Sequence, residues 1–126
     1  MNTQKSADYL QECRVALSAE QALSLSETAH WAHVDKAKVH SDWDALYKRL
    51  APLLQNLFAS APEVQTLMEE HYEIVSRFYA PSKLAYIGMS IFYAENTDMA
   101  NFHNAYHPNM VAFLAEAIPI YAEANL

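Results

Sequence analysis

The chain has 126 residues, a length that normally forms one domain with one core. It contains a single glycine, Gly88, where average usage would give roughly nine, and this scarcity excludes glycine-rich nucleotide loops, EF-hand loops and most all-β folds. Its 8 basic and 15 acidic residues give a formal charge of −7, which disfavours binding to nucleic-acid phosphates and to anionic membranes.

The N-terminal third, residues 1–40, is rich in helix-forming residues but has an irregular apolar stripe. Ser18 and Gln21 have the spacing of an internal capping box, which would interrupt a helix at that point. We therefore predict helical structure here without one continuous helix.

A clearer helix is predicted to begin at Ser41, a good N-cap followed by Asp42 and Asp44 in the first turn. Its apolar residues recur every three or four positions, which places them on one helix face. Pro52 lies inside this pattern and is expected to kink the helix. The stripe consists of Trp43, Leu46, Tyr47, Leu50, Leu54, Leu57 and Phe58.

Two further helices are predicted in the middle of the chain. Residues 60–63 form a capping box with proline in the first turn, and the apolar stripe that follows extends to Phe78. Pro81 ends this helix and Ser82 caps the next one. Residues 83–94 are apolar on nearly every side, which predicts a helix that is buried all round or lines a cavity.

Two shorter predicted helices complete the chain. Asn96 caps the first, which Pro108 ends, and the second begins near Met110 and contains Pro119 as an expected kink. The first of them carries Met99, Phe102, His103 and Tyr106. Together these patterns predict a single compact all-α domain of five to six short helices.

Cysteine usage and the N-terminus bear on location. The one cysteine, Cys13, allows no disulfide framework and fits a reducing compartment. The first six residues are polar and lack a secretory signal, and no apolar run approaches the roughly 18 residues of a membrane span. We therefore expect a cytoplasmic protein.

The six histidines raise the question of a metal site. His30 and His33, and likewise His103 and His107, have spacings that place two imidazoles on one helix face, but neither pair carries the glutamate of an H-E-x-x-H motif. His71 lies on an apolar face, where a core histidine bonded to a neighbour is favoured over a haem ligand. We predict no metal and no cofactor.

The residues of covalent catalysis are also missing. The chain has no G-x-S-x-G elbow and no cysteine in a recognisable nucleophile setting. Because the chain offers no such group, we predict a protein that is not an enzyme.

Aromatic residues are the most unusual positive feature. The chain has eight tyrosines and two tryptophans, and Tyr86 and Tyr93 lie seven apart, on one face of the predicted buried helix. With Met89 and Met110 nearby, they suit a pocket for aromatic ligands. Amphipathic packing at the margin of the core explains the same composition, and both interpretations stay open here.

Several short motifs, in order from about residue 41 to the C-terminus, resemble those of the TipAS antibiotic-recognition domain. That domain is the effector-binding half of certain MerR-type multidrug regulators. The similar segments are Asp42-Trp43 with Tyr47 and Leu50, His71 with Phe78-Tyr79, residues 88–93, Tyr106, residues 108–110 and residues 113–118.

The resemblance implies a globin-like arrangement of helices without haem and a cleft for large, partly aromatic antibiotics. It implies a domain organisation of a ligand-binding core at 41–126 and a segment at 1–40 that closes over the ligand as a mobile lid, with Trp31 as a lid residue. A helix-turn-helix is missing from this chain, so we expect a stand-alone domain. The founding member's reactive cysteine is replaced by Pro81, which implies non-covalent binding.

We therefore predict non-covalent binding of large hydrophobic or aromatic antibiotics, similar to thiopeptides or albicidin, for drug sequestration or for sensing in a transcriptional response. The alternative is an interaction module whose tyrosine-rich apolar surface binds a partner chain or forms a homodimer. The predicted ligand-binding residues are Trp43, Tyr47, His71, Phe78, Tyr79, Tyr86, Met89, Tyr93, Phe102 and Tyr106.

Overall fold

The computed structural model describes residues 6–126, and every regular element within them is helical. The all-α prediction is therefore confirmed, while the globin-like arrangement stays a prediction. The polar residues 1–5, considered above for a signal sequence, lie outside the described residues. The helices are α1 (Ala7–Glu27), α2 (Lys36–Leu50), α3 (Pro62–Val75), α4 (Lys83–Glu95), α5 (Thr97–Asn104) and α6 (Met110–Asn125).

Helix α4 is the centre of the fold, packing chiefly against α1 and α6 and less extensively against α5. Residues 85–90 are buried in succession, which confirms the helix that the all-round apolar pattern predicted. The helix begins as expected at Ser82, whose side chain accepts a hydrogen bond from the backbone of Ala85. α2 packs against α3, and α3 against α6, so the central helix is enclosed on several sides.

Gly88 marks the closest approach of α1 to α4. A β-carbon at this position would lie 2.3 Å from the backbone oxygen of Cys13 and 3.1 Å from the Leu17 β-carbon. The first distance is far below van der Waals contact, so only glycine allows the two helices to pack this closely. The single glycine of the chain therefore serves helix packing.

Helix α1 is continuous over 21 residues, so the predicted interruption at Ser18 and Gln21 is wrong. Its buried positions, Cys13, Leu17 and Ser24, continue along one face against α4, and this packing outweighs a local capping signal. The predicted boundary at residue 40 also falls within α2, so it does not separate two elements. Whether residues 1–40 move as a lid stays a prediction.

Helix α2 begins earlier and ends sooner than predicted. Asp35 caps it by accepting a hydrogen bond from the Lys38 backbone at 3.1 Å, and Ser41 lies inside the helix. Pro52 does not kink it, because the helix ends at Leu50 and the proline lies in a short 3₁₀ turn, Ala51–Leu53. Phe58, predicted on the same stripe, lies beyond the helix and is 85% exposed.

Helix α3 also differs at both ends. Its N-cap is Ala61 without a side-chain bond, so the capping box is wrong, although proline occupies the first turn as predicted. The helix ends at Val75, and backbone bonds from Arg77 to Ile74 and from Phe78 to Val75 form a tight turn that brings the chain toward Pro81. Phe78 is therefore presented by this turn and not by a helix.

The last two helices match their predicted starts. Asn96 caps α5 as predicted, and Pro119 lies inside α6, where the expected kink stays a prediction. Tyr106 and His107 lie beyond the end of α5, so His103 and His107 do not share a helix face. No helix in residues 6–126 combines the length and hydropathy needed to cross a bilayer.

Candidate ligand-binding cleft

Two adjoining cavities lie where α2, α4 and α5 meet the turn after α3. The first has a volume of about 170 Å³, and six of its ten lining residues are Trp, Tyr or Phe. Helix α1 and the α1–α2 connection (residues 28–35) contribute one wall residue each. The lining consists of Gln21, Trp31, Trp43, Val75, Phe78, Tyr79, Met89, Phe92, Tyr93 and Met99.

The second cavity has a volume of about 160 Å³ and shares Trp43, Tyr93 and Met99 with the first. We call the two together the aromatic cleft. Each is smaller than the roughly 300–1,000 Å³ of typical small-molecule pockets. The aromatic cleft can therefore hold a ring system, but a large ligand has to widen it. The second cavity is lined by His40, Trp43, Tyr47, Tyr93, Met99, Phe102 and His103.

Aromatic stacking organises the first cavity. The Trp43 and Phe78 rings are stacked with centroids 6.0 Å apart at an interplanar angle of 15°, and Trp31 meets Phe78 edge-on at 4.9 Å. The turn that carries Phe78 is fastened by His33, whose Nε2 lies 3.0 Å from the Arg77 oxygen and 3.1 Å from the Phe78 oxygen. Since carbonyl oxygens only accept, His33 donates to this turn.

The α1–α2 connection holds Trp31 against the cleft in an unusual backbone conformation. Ala29, His30 and Trp31 have φ values of 50°, 58° and 63°, the left-handed region that is costly for residues other than glycine. Thr28 and Ser24 hold this arrangement: Thr28 Oγ1 accepts from the Trp31 backbone at 3.0 Å, and Ser24 Oγ accepts from its indole nitrogen at 2.8 Å.

Two wall residues of the first cavity carry buried polar atoms that lack partners. Trp43 Nε1 and the Tyr79 hydroxyl have no hydrogen-bond partner among the described residues. Burial also raises the pKa of Tyr79 to about 12, so its hydroxyl stays protonated at neutral pH. Because buried polar groups in native proteins are normally bonded, these two wall residues have unused hydrogen-bonding capacity.

Behind the cleft, a buried hydrogen-bond network joins four helices. Tyr86 of α4 bonds to His71 Nδ1 of α3 at 2.8 Å, and His71 Nε2 bonds to the Tyr47 hydroxyl of α2 at 3.0 Å. Tyr47 bonds in turn to His103 Nε2 of α5 at 3.0 Å, and His103 Nδ1 reaches the Met99 backbone oxygen at 2.7 Å. We call these four side chains the tyrosine–histidine network.

With both histidine rings neutral, the carbonyl at the end of this network fixes the direction of every bond. Met99 can only accept, so His103 donates from Nδ1, and its neutral ring accepts at Nε2 from Tyr47. Tyr47 then accepts from His71 Nε2, which leaves His71 Nδ1 to accept from Tyr86. Each neutral ring is therefore held in a single tautomer.

Burial favours the same neutral state. It lowers the pKa of His71 from its ordinary 6.5 to about 3, with a smaller contribution from His103, and it lowers the pKa of His103 as well. Burial raises the pKa of Tyr47 and Tyr86 well above the ordinary 10.0. The network is therefore uncharged and internally satisfied at neutral pH.

The structure brings seven of the ten predicted site residues to the aromatic cleft and leaves three outside it. His71 and Tyr86 are both fully buried and bond each other, so His71 does not present a polar contact to the cleft. Tyr106 lines neither cavity and donates to Asp44 at 2.7 Å. The seven are Trp43, Tyr47, Phe78, Tyr79, Met89, Tyr93 and Phe102.

Several wall residues were not among the predicted ligand contacts. Trp31 was expected only as a lid residue, and it lines the first cavity from the α1–α2 connection. Met99 and His103 stand on the short aromatic helix α5, where their spacing from Phe102 could have indicated a shared face. Gln21 carried no such signal. The others are His40, Val75 and Phe92.

Comparison with known proteins gives one match. The model of the family described as the TipAS antibiotic-recognition domain matches residues 9–121, nearly the whole chain. The match takes in α1 and so extends well upstream of the motifs noted from residue 41. No curated protein and no solved structure matches the chain.

Proposed function

The chain belongs to the TipAS antibiotic-recognition domain family, and from this premise we propose that its aromatic cleft binds a large hydrophobic, aromatic-rich antibiotic without covalent bond formation. Thiopeptides and albicidin-like compounds are the candidate ligands. Binding would serve drug sequestration or sensing in a transcriptional response, in the cytoplasm, and no chemical step is included.

One observation carries the proposal: the two adjoining cavities share their aromatic walls. Trp43 and Tyr93 border both, so rings bound in one cavity contact the same side chains as rings bound in the other. Flat ring systems gain offset-stacked and edge-to-face contacts with such walls in addition to apolar burial. Met89 and Met99 add flexible side chains that adapt to ligand shape.

The size of the cleft implies that binding is coupled to an opening. Cavities of about 170 Å³ and 160 Å³ are too small for a large antibiotic. The α1–α2 connection is the wall that we expect to move, because its left-handed residues, Ala29 to Trp31, store strain and Trp31 covers Phe78. We therefore propose residues 29–31 as the hinge of the predicted lid.

Non-covalent capture fits the position of the one cysteine. Cys13 is fully buried under α4 and lines neither cavity of the cleft. Mass spectrometry of the protein after incubation with a thiopeptide should give the unmodified mass. A stable adduct would contradict this part of the proposal.

The direct test is a fluorescence titration, because Trp31 and Trp43 both line the first cavity. Thiopeptide or albicidin-like compounds should change the tryptophan emission saturably, with one ligand per chain. Trp31→Phe and Trp43→Phe separate the two signals, and both should change. The absence of a saturable change with any large aromatic antibiotic would contradict the proposal.

The alternative of an interaction module gains no support from the side-chain positions. None of the eight tyrosines is fully exposed, and Tyr47, Tyr86, Tyr93 and Tyr121 are buried. A tyrosine-rich docking surface would need them at the exterior. Self-association stays a prediction, and sedimentation velocity at micromolar concentration measures it.

A further inference from the structure

The two tryptophans of the first cavity differ in one respect. The Trp31 indole nitrogen donates to Ser24 Oγ at 2.8 Å, whereas the Trp43 indole nitrogen is buried without a partner among residues 6–126. Both rings contact Phe78 and both line the same cavity. The fold therefore satisfies one indole N–H internally and leaves the other unsatisfied, on a residue that lines the cavity.

The chemistry of the indole nitrogen defines which ligand group can bond to it. The indole nitrogen carries one hydrogen and has no lone pair to offer, so it can only donate. We infer that the ligand of the aromatic cleft places a neutral hydrogen-bond acceptor, such as a carbonyl oxygen or an aromatic ring nitrogen, against Trp43 Nε1. This inference rests on the proposed function, because the buried nitrogen becomes accessible to a ligand only as the cleft widens. It adds the polar recognition element that apolar stacking does not supply.

Tyr79 strengthens the requirement for an acceptor. Its hydroxyl is the other buried, unpartnered polar atom on the wall of this cavity, and it stays protonated at neutral pH. A ligand with two acceptors could satisfy both donors. A purely hydrocarbon ligand would leave both donors unsatisfied.

The neutrality of the acceptor follows from charge. Glu20 of α1 is the sequence neighbour of the wall residue Gln21. Burial is the main reason why the pKa of Tyr79 is raised, and Glu20 is the next. Glu20 is held there by hydrogen bonds from the Ser82 backbone and hydroxyl. The chain as a whole carries −7, and a carboxylate on the ligand would be repelled at the position where an amide or azole would be accepted.

Small probes test this directly, because a bicyclic ring needs far less widening of the cleft than a large antibiotic does. Quinoline and naphthalene have nearly the same shape, but only quinoline has an acceptor nitrogen, and naphthalene-2-carboxylate adds a charged acceptor. We expect quinoline to move the Trp43 indole N–H resonance downfield in ¹H–¹⁵N spectra and naphthalene not to do so. The Trp31 indole resonance, already hydrogen-bonded to Ser24, is the internal reference.

Affinities provide the second readout. Water solvates quinoline better than naphthalene, so the useful quantity is the ratio of their dissociation constants in wild type compared with the same ratio in Trp43→Phe. That variant keeps an aromatic ring and removes the N–H. The preference for quinoline should fall about tenfold, the size expected when a buried donor loses its acceptor. Tyr72→Phe, whose hydroxyl donates to Pro81 and not to the cleft, is the control and should keep the preference.

The outcomes separate this inference from the proposed function. Equal ratios in wild type and Trp43→Phe, no downfield shift, or tighter binding of naphthalene-2-carboxylate than of quinoline would each overturn the inference. If antibiotics bind and quinoline does not, the inference fails and the proposed function stands. If neither antibiotics nor probes bind, both fail. If Trp43→Phe does not fold, the wild-type shift decides alone.

Discussion

The aromatic cleft and the tyrosine–histidine network lie side by side and share Tyr47 and His103, but they differ in whether their buried polar atoms have hydrogen-bond partners. In the network every buried hydroxyl and ring nitrogen has a partner within 3.0 Å, and the bond direction is fixed. In the cleft, Trp43 and Tyr79 keep polar atoms that nothing in residues 6–126 satisfies.

This difference distinguishes scaffold from recognition surface. A satisfied network holds α2, α3, α4 and α5 in one arrangement, because each member loses a partner if a helix moves. An unsatisfied wall costs free energy until a ligand occupies it. We therefore expect mutations in the network to act mainly on stability and mutations in the cleft to act mainly on binding.

The largest effect is expected at the centre of the network. His71→Leu removes the acceptor of the Tyr86 hydroxyl and leaves a buried donor unsatisfied, so it should lower the free energy of unfolding by about 2–4 kcal/mol. Urea denaturation measures the change. Trp43→Phe is the matched substitution in the cleft and should change stability by less than about 1 kcal/mol, because no hydrogen bond is lost.

A double variant checks the cause. His71→Leu combined with Tyr86→Phe removes both partners, so it should recover part of the loss. If adding Tyr86→Phe to His71→Leu lowers stability as much as Tyr86→Phe lowers it in the wild type, the lost hydrogen bond does not explain the effect of His71→Leu.

The second-largest effect is expected in the pH dependence of stability, because the two histidines of the network are buried in their neutral form. At neutral pH both histidines are uncharged in the folded protein and largely uncharged in the unfolded chain. As pH falls below about 6.5, the unfolded chain binds protons that folded His71, with its pKa near 3, does not bind. The free energy of unfolding should therefore decrease as the pH is lowered. His71 contributes up to about 1.4 kcal/mol per pH unit, and His103 adds to the decrease.

The interval from pH 6.5 to about 5.5 isolates this effect. The ion-paired carboxylates of Asp42, Asp44 and Glu95 have lowered pKa values in the folded protein, and there they remain charged in the unfolded chain as well. Thermal denaturation across this interval is the measurement. His71→Leu should flatten the slope. A stability that stays level from pH 7 to 5 would contradict a buried neutral network.

Helix α1, which covers α4 and contributes only Gln21 to the cleft, provides the third comparison. Gly88→Ala places a β-carbon against the Cys13 backbone, so it should destabilise the protein by about 1–3 kcal/mol although alanine favours helices. Ala94→Gly on the exposed part of α4 is the control, since there glycine should be the less stable choice. Lost ligand binding with full stability in Gly88→Ala would instead make Gly88 part of the binding site.

The smallest expected effect is the difference in stability between substitutions of Tyr72 and Tyr79, which flank the same turn. Tyr72 donates to the Pro81 oxygen at 2.6 Å, whereas the Tyr79 hydroxyl has no partner in the described part of the chain. Tyr72→Phe should therefore cost about 1 kcal/mol, and Tyr79→Phe should be neutral or slightly stabilising. Melting temperatures of the two variants compare them; an equal loss in both would mean that the Tyr79 hydroxyl is bonded in solution.

The helices were largely predictable because their signals are local. The caps at Ser82 and Asn96 act through the next turn, and the apolar run of α4 needs no knowledge of its neighbours. The errors occurred where packing outweighs a local signal. Ser41 looks like an N-cap, but the buried Val39 already belongs to α2.

The sequence predicts the aromatic composition of the cleft but not the role of each residue in it. The sequence indicates that tyrosines and tryptophans converge, but it does not show which polar atoms find partners. His71 and Tyr86 satisfy each other across two helices 15 residues apart in sequence, a pairing set by tertiary packing alone. Gln21 enters the cleft for the same reason, since only the docking of α1 on α4 brings it there.

Methionine methyl spectra test the central claim most directly. Met89 and Met99 line the cleft, whereas Met68 and Met110 are fully buried in the core. With ¹³C-methyl-labelled methionine, an antibiotic that binds as proposed should shift the Met89 and Met99 signals saturably and leave those of Met68 and Met110 nearly unchanged. Saturable binding that shifts Met68 and Met110 while Met89 and Met99 stay in place would contradict the account.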